Sequence, residues 1–360
     1  MSFTCITMAC LLLSPGVLRG PSWPVNVDEL RLLLQTKRFA DLEKVIVEAQ
    51  DDFDASRTTE DDPWAKMGAF LNDEGITEKA LSLWVAQAPG SYAALAARGL
   101  YYESTGWTIR GPEWVQHTAS GRLKTMHDMH ALAEADCEKA LAIKPTLVAC
   151  HVALINIARG AGDEERASRR YDVARRAVPG SILVAMARLQ SLTPRWGGSY
   201  GEMRALLQEL TKDSLWQKSG GRALLGHIAA DQASLAALEN DYGKAVELYT
   251  EAIAQGGGLA AYYAGRGINA HRLGRKADAL KDYDRAVEMA PRGWPYGETR
   301  LSAVLASRAS IEHSSGQQAE AERDIRDSLL IDPRNDYALQ WARVIMPPRP
   351  SPKPEVPVRP

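Results

Sequence analysis

The sequence predicts an all-helical protein in which antiparallel helix pairs stack into a right-handed superhelix. Small and aromatic residues recur with a period of 34 residues in the second half of the chain, a spacing typical of stacked helix hairpins. Proline follows several of the predicted second helices, where it ends a helix because it lacks an amide proton. No stretch alternates apolar and polar residues over more than a few positions, so half-buried strands are not expected.

The charge balance of the chain bears on its partners. Its 360 residues include 43 basic and 45 acidic side chains, which leave a formal net charge of −2. A chain without an excess of basic residues has no charge surplus with which to neutralise a phosphate backbone. We therefore expect no nucleic acid partner. The length leaves room for an elongated repeat array.

Residues 260–293 show the repeat most clearly. Six residues that suit close helix packing stand at positions 4, 8, 20, 24, 27 and 32 of this unit: Tyr263, Gly267, Ala279, Tyr283, Ala286 and Pro291. Small side chains at positions 8 and 20 let two helices approach closely, and the aromatic side chain at position 24 fills the gap to the next pair. This spacing resembles that of the tetratricopeptide repeat.

Other parts of the chain share this register. The matching units are residues 148–181, 226–259 and 302–335, the last after an insertion at residues 293–300. A further unit begins at Tyr92, but its second helix does not end until Pro145, so 22 residues are added around positions 107–122. Residues 335–345 are expected to form a capping helix that shields the last pair from water.

Two irregular loops carry a second resemblance. The first loop contains Trp107, Arg110 and Gly111, and the second is the segment 194–199, PRWGGS. These residues resemble the marks of a bacterial family of domains of unknown function, whose members are often followed by tetratricopeptide repeats. The similarity extends over residues 28–212. It implies an α-helical domain and implies no activity.

The chain is expected to divide into four segments. Residues 1–22 resemble a secretory signal without its usual basic residues, so export and a cytoplasmic location are both left open. Residues 23–212 form the irregular helical domain, and residues 213–346 form the tetratricopeptide repeats with their capping helix. Residues 347–360, half of them proline, form an extended tail. No segment is long and apolar enough to be expected to span a membrane.

The leading functional hypothesis is a scaffold that binds another polypeptide. In tetratricopeptide proteins the first helix of each pair lines a concave groove through its positions 2, 5, 6 and 9. The predicted groove residues are His227, Asp231, Ser234, Ala261, Ala264, Gly265, Ile268, Ser307 and Ser310. Most are small and nearly neutral, which favours a peptide with apolar side chains, bound with modest affinity. The alternative is that these small residues serve only to allow tight stacking.

The two loops support a different function. Arg110 and Arg195 would converge on an anionic group beside Trp107 and Trp196, which would make the protein a binder of a small anionic ligand, or an enzyme acting on one. If these side chains only pin the loops to the flanking helices, their role is structural. Both hypotheses predict that the two loops lie close together. A third functional hypothesis is self-assembly through exposed ends of the repeat array.

No catalytic centre, metal site or cofactor is predicted. Ser199 stands in a G-x-S-x-G match, but a serine hydrolase needs a strand before this serine, and here a helix and a proline precede it. The potential metal ligands His127, His130, Glu134 and Cys137 share one helical face. His130 and Cys137 are nevertheless expected to pack against the preceding helix.

The cysteines show no metal-knuckle spacing. Cys5 and Cys10 lie in the apolar N-terminal stretch, and Cys137 and Cys150 fall on successive predicted helices. We interpret Cys137 and Cys150 as buried thiols, with a disulfide between them as the alternative.

Overall fold

The computed structural model describes residues 27–71, 76–111, 113–289, 297–332 and 335–346. Within these ranges the regular secondary structure is helical, which confirms the predicted fold class. The signal-like segment 1–22 with its two cysteines and the proline-rich tail 347–360 lie outside the described residues, as do Pro291 and Pro333 of the repeat pattern.

The α-helices follow one another along the chain with short connections. They are α1 (Val27–Gln35), α2 (Phe39–Asp54), α3 (Asp61–Gly68), α4 (Glu78–Gln87), α5 (Tyr92–Arg110), α6 (Ser120–Ile143), α7 (Val148–Gly160), α8 (Glu164–Ala177), α9 (Ile182–Ser191), α10 (Tyr200–Leu210), α11 (Ser214–Lys218), α12 (His227–Leu238), α13 (Tyr242–Gly256), α14 (Ala260–Arg272), α15 (Lys276–Glu288), α16 (Gly297–Ser314), α17 (Gln318–Ile331) and α18 (Asp336–Ile345). Short 3₁₀ helices stand at Val115–His117, Pro194–Trp196 and Gly221–Gly226. None of the described helices has the length and apolar character that crossing a membrane requires.

Consecutive helices pack as hairpins where the 34-residue pattern predicts them. Helix α14 packs on α15, and α16 packs on α17. The approach of α14 to α15 depends on Gly267, because a methyl group there would lie 2.8 Å from Cε1 of Tyr283. Ala279 and Ala286 of α15 are fully buried. The small residues at positions 8, 20 and 27 therefore have the packing role that the sequence predicts.

An ion pair between the two helices recurs at positions 7 and 23 of several hairpins. The arginine donates through Nε and Nη2 to the two carboxylate oxygens, at 2.5–2.9 Å. The pairs are Arg98–Asp136, Arg266–Asp282 and Arg308–Asp324. Because a bidentate ion pair has a fixed geometry, it fixes the position of one helix along the axis of the other. These two positions were not among those predicted from the sequence.

The spacing of these ion pairs locates the inserted residues. The partners are 16 residues apart in the hairpins α14–α15 and α16–α17, but 38 apart in the hairpin α5–α6, which is 22 more. This surplus equals the one predicted from the proline spacing. The insertion lengthens both helices, so that α5 has 19 residues and α6 has 24, whereas α14 and α15 have 13 each.

Away from the inserted residues, the two helices of the hairpin α5–α6 pack together like those of an ordinary repeat. We call this part the base of the hairpin. Gly99 stands at position 8, and a methyl group there would lie 2.8 Å from the sulfur of Cys137. Ala133, Cys137 and Ala140 take positions 20, 24 and 27 once the insertion is counted, and all three are fully buried. The hairpin is therefore a tetratricopeptide-like unit with an extension at the end where its two helices are connected.

The N-terminal helices depart from simple linear stacking. Helix α3 contacts α7 as well as α2 and α5. Glu60, just before α3, accepts backbone hydrogen bonds from Ile182 at 2.8 Å and Leu183 at 3.1 Å, and a hydrogen bond from the Ser181 hydroxyl. These amides begin α9 and would otherwise lack partners within the helix. The carboxyl group of Glu60 thus ties the N-terminal helices to the start of α9.

The hydrophobic core runs along the array as successive clusters. One cluster spans α1 to α7, and the next runs from Val148 to Tyr262, across the predicted domain boundary at residue 212. At the far end, Ala338 and Ile345 of α18 are buried against the last hairpin. Helix α18 therefore covers the end of the array, in the place predicted for the capping helix.

The Gly226→Ala substitution is expected to lower the free energy of unfolding by about 1–3 kcal/mol. A methyl group at this position would lie 2.1 Å from the carbonyl oxygen of Ala252 on α13. A backbone atom in a packed interior cannot move aside unless its helix moves. The matched control is Gly243→Ala on α13, where the nearest atom would be 3.8 Å away and alanine should be stabilising. Urea denaturation measures both. Similar effects of the two substitutions would contradict the close approach at Gly226.

Candidate functional site

The extension of the hairpin α5–α6 meets the loop between α9 and α10. The indole ring of Trp107, on α5, lies edge-on to that of Trp196, with centroids 5.6 Å apart and an interplanar angle of 77°. The two segments singled out in the sequence are therefore in contact, as both hypotheses about them predict. The first of them is not a loop as expected, because Trp107 and Arg110 belong to helix α5, which is capped by Gly111. Trp107 and Trp196 are each half-buried.

Three arginines surround these two rings. The guanidinium carbon of Arg110 lies 5.2 Å from the centroid of Trp196, that of Arg159 lies 5.0 Å from it, and that of Arg195 lies 5.8 Å from it. Arg110 and Arg159 also lie 5.9 and 5.2 Å from the ring of Trp107. These distances are in the range of cation–π attraction. We call Trp107, Trp196 and the three arginines the Trp–Arg cluster.

Glycines at particular places allow this arrangement. A methyl group at Gly106 would lie 2.5 Å from Cδ2 of His130, and one at Gly160 would lie 2.9 Å from Cη2 of Trp107. Each ring can therefore approach the backbone of the neighbouring helix closely. Gly197, with φ of +92°, provides the left-handed conformation that ends the 3₁₀ helix carrying Trp196. Gly198 follows so close to the carbonyl oxygen of Leu192 that a methyl group would lie 2.3 Å from it.

A buried carboxyl group lies beneath Trp107. Glu103 accepts a hydrogen bond from the indole nitrogen of Trp107 at 2.8 Å and one from the Asn156 amide at 3.4 Å. Burial raises the pKa of Glu103 to about 7, although these donors and the charge of Arg159 act in the opposite direction. Burial also lowers the pKa of the neighbouring His130 to about 4, so this imidazole is neutral at pH 7.

The arginines of the cluster differ in how they are held. Arg110 donates to the carbonyl oxygens of Gly111 at 2.8 Å and Glu113 at 3.0 Å, so it closes the end of the extension. Burial, and then the charges of Arg195 and Arg159, lower the pKa of Arg110. Arg159 donates through Nη1 to the side chain of Gln190 at 3.0 Å. Among the described residues, its buried Nε has no hydrogen-bond acceptor.

The contribution of α7 to this site has no counterpart among the sequence patterns. These patterns indicated Trp107, Arg110, Arg195 and Trp196, but not Arg159. Arg159 lies near the end of an ordinary repeat helix and belongs to no local motif. Its only signal in the sequence is the position of an arginine beyond the last apolar turn of α7, which is common on solvent-exposed helix ends.

The groove residues nearest to the Trp–Arg cluster are on α12. Asp231 accepts a hydrogen bond at 2.9 Å from the hydroxyl group of Tyr200, which directly follows the PRWGGS loop. Burial raises the pKa of Asp231, and Tyr200 and the positive charge of Arg195 oppose this shift. His227 packs beside Tyr262, and burial lowers its pKa to about 4. The predicted groove and the predicted ligand loop therefore adjoin each other at Asp231.

The remaining groove residues differ in exposure. Ser234 and Ile268 are exposed, and Ala261, Gly265 and Ser307 are half-buried. Ala264 and Ser310 are buried, each 5% exposed, so their side chains are not available to a partner.

Aromatic residues of the second helices lie directly beneath these groove positions. A methyl group at Gly265 would lie 2.3 Å from the ring of Tyr249, whose hydroxyl is 3.0 Å from that of Ser234. The small side chains at these positions therefore serve the stacking as well as the surface.

The other chemical motifs have separate surroundings. Ser199 accepts a hydrogen bond from the backbone of Glu202 and caps α10, with no strand before it in the described chain. His127 is exposed, whereas Glu134 is paired with Arg170 at 2.7 Å. The described residues contain no group of histidine, cysteine and acidic side chains arranged to hold a metal ion.

The two described cysteines are free thiols. Cys137 and Cys150 are fully buried. A hydrogen bond between the two thiols, together with burial, raises the pKa of Cys137 well above its usual value. This arrangement agrees with the interpretation of both residues as buried thiols.

Comparison with known proteins finds one matching family model and similar solved structures. The family description "Domain of unknown function (DUF4034)" matches residues 26–166, which include Trp107 and Arg110 but end before the PRWGGS loop. No curated protein matches the chain.

Two solved structures illustrate the likeness in fold. The APC/C hetero-tetramer Cut9–Hcn1 aligns at 14% identity with a TM-score of 0.35, over 89% of this chain and 54% of that chain. The chain thus spans about half the length of that relative. A tetratricopeptide repeat protein from Parabacteroides merdae ATCC 43184 aligns at 14% identity with a TM-score of 0.34, over 84% of this chain and 98% of that chain. The chain thus carries a segment matched by DUF4034 at residues 26–166, and helix pairs of the tetratricopeptide type follow it.

Proposed function

We propose that the protein is a non-catalytic scaffold that binds a polypeptide partner along the first helices of its repeat pairs. One observation carries this proposal. The first helices α12, α14 and α16 contact one another in chain order, and α16 contacts α18. Helices stacked in this way form one continuous surface, as in other helical repeat arrays.

The side chains on this surface suit an extended or helical segment with apolar residues. Ile268 is 37% exposed and lies in the middle helix, α14. Ser234, Gly265 and Ser307 around it are small and carry no charge. Asp231 and His227 lie at the end nearest the Trp–Arg cluster. Such a surface would bind a partner mainly through shape complementarity and with few charged contacts, so we expect modest affinity.

The Ile268→Arg substitution tests this function. Arginine places a bulky charge on the surface without entering the core, so it should reduce partner binding at least tenfold and leave the melting temperature nearly unchanged. The matched control is Val173→Arg, which changes an exposed apolar residue, 49% accessible, on the second helix α8. Tagged full-length protein is used to recover partners from an extract of its native cells, and the amounts are quantified. Equal recovery by the two variants would argue against the proposed surface.

A further inference from the structure

Positive charge is concentrated around Trp196. The three guanidinium groups of the Trp–Arg cluster lie 5.0–5.8 Å from the centroid of this one ring. A single indole has two attractive faces, and its edge repels cations. Like charges held this close repel one another in a partly buried site, and the lowered pKa of Arg110 reflects that repulsion together with burial.

The acidic side chains around the cluster are engaged elsewhere or are protonated. Among the described residues, no carboxylate forms an ion pair with Arg110 or Arg159. Glu113 pairs with Arg122 at 3.5 Å, and Asp231 bonds to Tyr200. Glu103 is beneath the cluster, where burial keeps it largely protonated below pH 7.

One hydrogen-bond donor of the cluster also lacks an acceptor among the described residues. Arg159 reaches from α7 to both indole rings, and it is anchored at one end by the neutral amide of Gln190. Its buried Nε donates to no acceptor in the described parts of the chain. A guanidinium group presents its donors in a planar fork that matches two oxygens of a carboxylate, phosphate or sulfate group.

We propose that the Trp–Arg cluster binds an oxyanion, held by Arg159 and Arg195 against Trp196. The bound group is a carboxylate or a tetrahedral phosphate or sulfate, because each offers paired oxygens to a guanidinium fork. The oxyanion relieves the repulsion between the arginines and joins the extension of α5–α6 to the PRWGGS loop. This site adjoins the polypeptide surface at Asp231, but the proposal does not depend on that surface.

Titration of the full chain with anions tests the proposal. Sodium sulfate, sodium phosphate and sodium acetate are each added at constant ionic strength, with sodium chloride making up the difference, and tryptophan fluorescence is followed. At least one of the three should give a saturable change that chloride does not give. Saturation by sulfate or phosphate identifies a tetrahedral group as the ligand, and saturation by acetate alone identifies a carboxylate.

Arginine variants locate the bound anion. Arg159→Gln and Arg195→Gln should each weaken binding at least tenfold, and Arg159→Lys should retain part of the affinity because it keeps the charge. The matched control is Arg175→Gln, which also removes an arginine lying over an aromatic ring, that of Tyr171 at 5.9 Å, but one that is paired with Glu209.

Two results would overturn the proposal. One is a wild-type protein that responds alike to chloride and to all three oxyanions. The other is an Arg159→Gln variant that binds as tightly as the control. The first result needs no variant, so the test stands even if a substitution prevents folding.

Discussion

Replacing Arg308 by methionine is expected to lower the free energy of unfolding by about 3–5 kcal/mol. Arg308 donates two hydrogen bonds to Asp324, at 2.5 and 2.8 Å, and its side chain is only 16% exposed. Asp324 is 5% exposed, and Glu312 lies within 3.8 Å of the same guanidinium. Without Arg308, two carboxyl groups remain buried together with no cation between them. An uncompensated buried charge costs more than the ion pair itself contributes.

A control on the next helix separates this effect from the mere loss of an arginine. Arg326 on α17 is 68% exposed and pairs with Glu322 at 3.4 Å, one helical turn away. Arg326→Met should change the free energy of unfolding by less than about 0.5 kcal/mol, as exposed pairs of this kind do. Urea denaturation followed by far-ultraviolet circular dichroism measures both variants. Adding Asp324→Leu to Arg308→Met should recover part of the loss. If Arg308→Met behaved like Arg326→Met, the ion pair would have no structural role.

Glu103 should make the stability of the protein depend on pH between about 4.5 and 7. Burial raises the pKa of this carboxyl group from 4.5 to about 7 in the folded chain. Between these values the folded state keeps a proton that the unfolded state has lost, so stability falls as the pH rises, and it levels off above about 7. A shift of this size corresponds to about 3 kcal/mol, at about 1.4 kcal/mol per pKa unit.

The Glu103→Gln substitution isolates this contribution. Glutamine keeps an oxygen that can accept from the indole of Trp107, and it cannot ionise. The variant should therefore be close to the wild type in stability at pH 4.5 and more stable than it by about 3 kcal/mol at pH 8. Other buried acids, such as Glu60 and Glu312, also have a pKa raised to about 7, so the difference between variant and wild type is the quantity to measure. A difference that does not change with pH would show that Glu103 is ionised throughout this range.

The repeat architecture could be predicted because its determinants are local. Small residues at positions 8, 20 and 27 are near one another in sequence and act within one hairpin, so their period reveals the fold. The surplus of 22 residues in the hairpin α5–α6 was visible for the same reason. The recurring ion pair at positions 7 and 23 was equally local. It was not predicted, because arginine and aspartate are common on helix surfaces and give no distinct signal.

The candidate site was only half predictable. Trp107 and Trp196 stood out because they belong to the two segments that resemble a family of domains of unknown function. Arg159 did not stand out, because it lies in a regular helix. It is close to the two indole rings only because the fold packs α7 beside both segments. The bond from Glu60 to the start of α9 joins residues more than 120 positions apart and has no local signal. Side chains brought together by stacking of distant helices cannot be recognised from neighbouring sequence.

The inserted residues extend a hairpin whose base has the full packing of an ordinary repeat. Below them, the ion pair of Arg98 with Asp136 and the contact of Gly99 with Cys137 are those of an uninterrupted repeat. Neighbouring hairpins are stacked on that base, and the extension also reaches α7 and the PRWGGS loop through Trp107. One hairpin can therefore carry 22 additional residues, and a cluster of aromatic and cationic side chains with them, while the repeat packing beneath is that of its neighbours.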